Sequence, residues 1–195
     1  MPGLRRPTAP RWLVAIVVPA LAIVAVLVVV HTGSPGRTAD ATGQLPPPIN
    51  GIACDRVDHQ NASVAVHLTI LINGAARDIL ANVGSYNALV VYPSSGPMVT
   101  KADCYYWLHT GRADGIVHAD PPAARAFTLG DFFDVWRQPL GTAAVASDEG
   151  PVTSYVNGRR YTGNPRTIPL TQHAAIQLDV GRDVAPTPYT FPNGD

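Results

Sequence analysis

The chain has 195 residues, a formal net charge of +0 and 46% hydrophobic residues. Behind an N-terminal segment and a linker this leaves about 145 residues, one ordinary domain able to bury a core without a cofactor. Lys and Arg total 14 and Lys101 is the only lysine; with Arg5, Arg6 and Arg11 set aside, 14 − 3 = 11 basic residues face all 14 acidic ones, a net of −3. That balance, without a Lys/Arg stripe, excludes nucleic acid as an expected partner and excludes docking on anionic lipid by charge alone. Richness in Ala, Gly, Pro and Val beside a single lysine is the compositional bias of a GC-rich bacterial genome.

Trp12 to Val30 reads WLVAIVVPALAIVAVLVVV, 19 residues without a charge. At 1.5 Å per residue the run spans about 28 Å, close to the hydrocarbon thickness of a bilayer. Pro19 is tolerable there, and Trp12 sits where an interfacial aromatic belongs. Arginines before the run and none directly after it predict a cytoplasmic N-terminus (residues 1–11), a transmembrane helix (12–30) and an extracytoplasmic remainder. The rival reading is a cleaved signal peptide, with a shorter apolar core and a small-x-small site close behind. The nearest such triplet, Ala39-Asp40-Ala41, lies well beyond the run, so the uncleaved single-pass anchor is the expectation. No cysteine follows closely enough to suggest a lipobox, and five turns without a polar residue argue against a buried soluble helix.

His31 to Asn50 is rich in Gly, Pro, Thr and Ala and ends in Pro46-Pro47-Pro48. It lacks an apolar period and reads as a linker whose ends lie about 25 Å apart. A β-rich domain is expected over residues 51–182. Ser63 to Ile72 alternates, with Val64, Val66, Leu68, Ile70 and Ile72 on one face and Ala65, His67, Thr69 and Leu71 on the other. Asn73-Gly74 follows, a strong hairpin signal because both central residues of a type I′ turn need φ > 0. Ala75 to Ala81 is the expected return strand. Cys104 to His109, Gly115 to Asp120 and Ala174 to Val180 also read as strands. So do Pro151 to Val156 and Arg159 to Thr162, joined by a second Asn-Gly at Asn157-Gly158. Both turns follow a β-branched residue, which is too little to define a repeat. Leu129, Phe132, Phe133, Trp136 and Leu140 recur at helical spacing, with Thr128 and Asp131 as an imperfect capping pair and Pro139 as the stop. The aromatic stripe is expected to face the core. After Gly181 the Pro-rich tail (183–195) is either an extended strap or disordered.

Cys54 and Cys104 are the only cysteines. Outside the cytoplasm an even pair oxidises, and closing a loop of about 50 residues contributes roughly 4 kcal/mol on the chain-entropy model. A thiolate metal site or redox pair is the alternative; without a C-x-x-C spacing the structural disulfide is preferred.

The candidate site is Cys104 to Pro121, CYYWLHTGRADGIVHADP. A symmetric hairpin with Thr110 opposite Gly115 pairs His109 with Ile116, Trp107 with His118 and Tyr105 with Asp120, all on one face. His109 and His118 are then diagonal neighbours, and a slip of one residue would separate them. Three readings compete. The histidines and the acid hydrogen-bond locally on a sheet face; or His67, His109, His118 and Asp120 bind Zn²⁺ or Cu²⁺, with Tyr105 and Trp107 as the wall; or one histidine is a general base oriented by Asp120. No G-x-S-x-G or H-E-x-x-H signature accompanies the last.

The exported part resembles a family of exported or membrane-anchored bacterial proteins of actinobacterial type. Its pattern has a Cys, an H-x-H strand with an N-G turn, and a C-x-Y-x-L-H-T-H…G-x-I-H-x-E segment. A T-L-G-x-F-F-x-x-W helix, a Pro-Leu and a second N-G hairpin follow. The matching residues are Cys54, His67, Asn73-Gly74, Cys104, Tyr106, Leu108-His109-Thr110, Gly115-Ile116 and His118. They continue through Thr128-Leu129-Gly130, Phe132-Phe133, Trp136, Pro139-Leu140 and Asn157-Gly158. The resemblance implies no activity, though its histidines hint at metal. Where the pattern has further histidines this chain has Ala65 and Gly111, and its acid is Asp120 in place of Glu. The sequence therefore predicts an α+β, mainly antiparallel domain with one short helix behind a membrane anchor. Its expected function is non-catalytic binding of a ligand or envelope partner. A Zn or Cu domain is the alternative, and a hydrolase-type enzyme comes third.

Overall fold

The computed structural model describes residues 44–192 except 58 and 60–62. The predicted membrane segment and most of the predicted linker lie outside the described residues, among which no helix is long and apolar enough to cross a membrane. The strands are β1 (Cys54–Asp55), β2 (Val64–Ile72), β3 (Ala75–Arg77), β4 (Ser85–Tyr86), β5 (Leu89–Val91), β6 (Met98–Lys101), β7 (Cys104–Tyr106), β8 (Leu108–His109) and β9 (Ile116–Ala119). Helix α1 (Leu129–Trp136) is followed by β10 (Ala144–Val145), β11 (Asp148–Glu149), β12 (Val152–Val156), β13 (Arg159–Tyr161) and β14 (Ala175–Val180).

The main sheet runs β13-β12-β14-β2-β9-β8, and β3 also pairs with β2. Every pairing in it is antiparallel except β14 with β2, which are parallel from Ala175 opposite His67 to Val180 opposite Ile72. The architecture is the expected α+β class with mostly antiparallel strands. Both Asn-Gly turns form hairpins: Asn73 and Gly74 have φ of 52° and 89°, Asn157 and Gly158 of 50° and 75°, as the type I′ geometry requires.

Alternation along β2 divides the sheet into two faces. Val66, Leu68 and Ile70 point into a core shared with Val117 of β9, Leu108 of β8 and Ile176 and Leu178 of β14. Phe132 and Phe133 of α1 lie in the same core, fully buried. The capping pair is complete: Asp131 N donates to the Thr128 hydroxyl and Thr128 N to the Asp131 carboxylate. Such reciprocal caps fix where a helix begins. The helix does not run to Pro139. It ends at Arg137, left-handed at φ 59°, where the Arg137 and Gln138 amides donate to the carbonyls of Asp134 and Phe133. These bonds satisfy end carbonyls that a proline stop would have left open.

Cys54 and Cys104 form a disulfide, with Cα atoms 5.4 Å apart and a separation of 50 in sequence. It ties β1 to β7, which pair in a separate three-stranded sheet, β1-β7-β4. The predicted strand over 104–109 is thus two short strands in two sheets, breaking at Trp107. The predicted strand over 75–81 stops at Arg77. The end of the predicted linker belongs to the domain. Leu45 and Ile49 pack against the core, and the Tyr106 hydroxyl donates to the Pro47 carbonyl at 2.9 Å.

Candidate functional site

The histidine hairpin pairs two residues away from its symmetric register. His109 stands opposite His118 and Leu108 opposite Ala119, and the Asp120 amide donates to the Trp107 carbonyl at 2.7 Å. His109 therefore does not pair with Ile116, nor Trp107 with His118, nor Tyr105 with Asp120. The partner has moved by two residues, which preserves the side-chain parity. His109 and His118 stay on one face, with ring centroids 5.6 Å apart and planes at 28°. The physical reason for the shift is the break at Trp107: β7 is held by β1 and β4, so only β8 is left to pair with β9.

The surroundings of each histidine decide its chemistry. His109 is buried, its Nδ1 3.1 Å from the Tyr106 carbonyl and its Nε2 3.7 Å from Asp120 Oδ2. The carbonyl accepts, so Nδ1 carries the proton. The Tyr105 ring lies 5.4 Å away as a wall. Trp107 turns elsewhere: its Nε1 donates to Asp55 Oδ2 at 2.7 Å, an oxygen that also meets His59 Nε2 at 2.8 Å. The Trp107 bond in particular holds the Asp55 carboxyl below its ordinary range.

His67 is on the same face as the pair, since it stands opposite Ile116 while Ala65 stands opposite His118. It is nonetheless committed differently. Its ring lies flat on Tyr189, centroids 3.4 Å apart and planes within 6°. Burial pushes its imidazole below the ordinary value, opposed by a hydrogen bond to the Asp114 backbone. Among the described residues no three His, Cys, Asp or Glu side chains group closely enough to hold a metal ion.

Tyr189 belongs to the Pro-rich tail, which is a strap across the polar face of the sheet. Three attachments hold it. The fully buried Asp179 carboxylate accepts from the Val184 amide at 2.8 Å and from Gln177 Nε2 at 2.9 Å; Gln177 Nε2 also donates to the Val184 carbonyl. At the strap's start Asp183 takes the Tyr155 hydroxyl at 2.6 Å and Arg160 at 3.0 Å. Farther on, Tyr189 stacks on His67 and Phe191 lies 4.7 Å from the His173 ring.

Between strap and sheet lies a cleft of about 410 Å³. Its floor is Thr69, Ala175 and Gln177; its roof is Pro186, Pro188, Tyr189 and Phe191. Pockets for small molecules fall in this size range and combine apolar surface with a few polar groups. No protein-family model, curated protein or solved structure matches the chain.

Sequence reasoning named His67, which the structure lays against Tyr189, and it missed the cleft. Two signals pointed to it. Tyr189 and Phe191 are large apolar rings in a tail otherwise built to stay in water, and Gln177 and Asp179 alternate with the core residues of β14. Polar side chains at alternate positions of a central strand need cover, because buried polar groups require partners.

Proposed function

We propose that this chain is a membrane-anchored, extracytoplasmic, non-catalytic binding protein whose ligand site is the cleft under the C-terminal strap. The observation that carries this reading is the cleft itself: about 410 Å³, floored by a rigid sheet and roofed by prolines and aromatic rings. The charge-free run over Trp12–Val30 supports the anchor, and the Cys54–Cys104 disulfide supports an oxidising compartment. His109 is buried with its Nδ1 spent on the Tyr106 carbonyl, which favours a structural histidine over a general base.

The test is a ligand-observed NMR fragment screen on the full chain in detergent. Fragments should bind the wild type and be lost from Ala175→Phe, which fills the cleft from β14. Hits indifferent to that substitution would place binding elsewhere and refute the reading. The anchor is tested separately with a periplasm-active reporter fused after Asp195. A soluble, shortened product would remove the anchor, and an inactive reporter would reverse the orientation.

A further inference from the structure

The cleft's lining narrows the chemistry of what it holds, and the step rests on the binding reading above. Among the described residues no Asp, Glu, Lys or Arg side chain lines the cleft; its titratable imidazoles are His67, which burial holds toward the neutral form, and His173. A charged ligand would lose its hydration there without gaining a permanent counter-charge, which is costly. The wall is also not simply apolar. Thr69 and Tyr155 contribute hydroxyls, and Asn157 and Gln177 contribute amides. An unsubstituted aromatic ligand would leave such groups unpaired, a loss that polar sites do not tolerate well.

These polar groups are fixed in place before any ligand arrives. Gln177 Nε2 is used by Asp179 and the Val184 carbonyl, which leaves the side-chain oxygen as its acceptor at the wall. Asn157 is held because its Oδ1 accepts from the Ala175 amide at 2.8 Å. The Tyr155 hydroxyl donates to Asp183, so toward a ligand it is an acceptor. Beside them stand Phe191 and Tyr189, packed edge to face at 5.0 Å, with one face of Tyr189 already laid on His67. Flat apolar faces next to pre-oriented hydroxyls and amides complement a molecule that is itself two-sided, with a C–H face and a rim of hydroxyls.

We infer that the cleft binds an uncharged, hydroxyl-rich ring compound, a neutral sugar of about one or two rings, stacked on the strap aromatics and hydrogen-bonded from the sheet. The size of the cleft, about 410 Å³, is at the small end of ligand sites, which suits a short saccharide and not a long chain.

The experiment is saturation-transfer NMR and calorimetry on the full chain in detergent. The probes are maltose, N,N′-diacetylchitobiose and trehalose as neutral sugars, p-cresol as an uncharged aromatic and glucuronate as a charged ring. Saturable binding of at least one neutral sugar is expected. It should weaken about tenfold in Thr69→Val, which keeps shape and removes one hydroxyl, and further in Phe191→Ala, which removes a stacking face. Both variants alter partly exposed residues, and retained far-UV and near-UV circular dichroism would show that they fold. Binding of p-cresol or glucuronate alone, lost in Ala175→Phe, would overturn the sugar assignment while leaving the cleft as a site. Sugar binding unchanged in both Thr69→Val and Phe191→Ala, or no binding by any neutral sugar, would overturn the inference outright.

Discussion

The two faces of the main sheet are built from the same strands and held by different physics. On one face Val66, Leu68 and Ile70 of β2 meet Ile176 and Leu178 of β14 and the Phe132–Phe133 pair of α1, all buried. On the other, Ala65, His67 and Thr69 meet Gln177 and Asp179, and a strap fixed by ring stacking and a few hydrogen bonds covers them. The first face is stabilised by area removed from water and tolerates no change in volume. The second holds less apolar surface and retains polar groups that a core would exclude. Stability resides on the helix side, and the cleft lies on the strap side.

The largest expected effect is on the helix face. Phe132→Ala should cost about 3–5 kcal/mol in chemical denaturation, because the site is fully buried and cannot collapse around the loss. A loss under about 1 kcal/mol would mean that α1 is not the principal cover of that face. Next is Cys104→Ser, which opens the loop of 50 positions. It should lower stability by up to about 4 kcal/mol, and mass spectrometry of non-reduced wild type should find no free thiol. On the strap face Tyr189→Ala should cost only about 1 kcal/mol globally, the scale of one ring pair. It should sharply raise amide exchange over residues 184–192 while leaving α1 protected. Uniform exchange across both faces would erase the distinction between them.

Acidity should act on the strap face first. Burial holds His67 below its ordinary 6.5, so the folded form binds fewer protons than the unfolded form in the window just below that value. Stability is fully present above about pH 6.5 and declines as pH falls toward the depressed folded value. Asp55 has the same sign in a more acidic window: its carboxyl lies below its ordinary 3.8, so its contribution is lost only in stronger acid. A denaturation series from pH 7.5 to 5 should therefore show a decline that His67→Asn removes. A decline that persists in the variant would assign the effect to another group.

The smallest effect concerns metal. Wild-type protein should take up Zn²⁺ or Cu²⁺ weakly and without defined stoichiometry. Ala65→His should create a saturable site, because Ala65, His118 and His109 lie in one row across β2, β9 and β8, and position 65 is where the resembled pattern carries histidine. Isotherms identical in wild type and variant would remove that row as a ligand platform.

What was legible in the sequence was local. The Asn-Gly turns, the alternation of β2, the Thr128–Asp131 cap and the stripe of α1 each depend on residues a few positions apart, and each is found. The cysteine pair was legible because it had no other partner. What was not legible depended on distant segments. Nothing within Cys104–His109 says that β1 and β4 will claim its first half, so the hairpin register was set by competition between two sheets. The cleft needed Tyr189 to meet His67, a contact across more than a hundred positions that no periodicity encodes. The helix end was misjudged for a smaller reason: Arg137 in a left-handed conformation ends it two residues before Pro139, and left-handed arginine has no sequence signal.

The position of β14 has a consequence for the birth of the molecule. It is the last of the described strands, yet it lies in the middle of the sheet, between β12 and β2. Until Ala175–Val180 emerges, β2 has no partner on that edge, and a nine-residue apolar strand waits exposed through the synthesis of the intervening hundred residues. Maturation of this domain must therefore be late and abrupt, governed by one long-range strand insertion. Nascent chains stopped short of residue 180 should be sticky, protease-sensitive species dependent on a holdase, and full-length chains should become resistant in a single step.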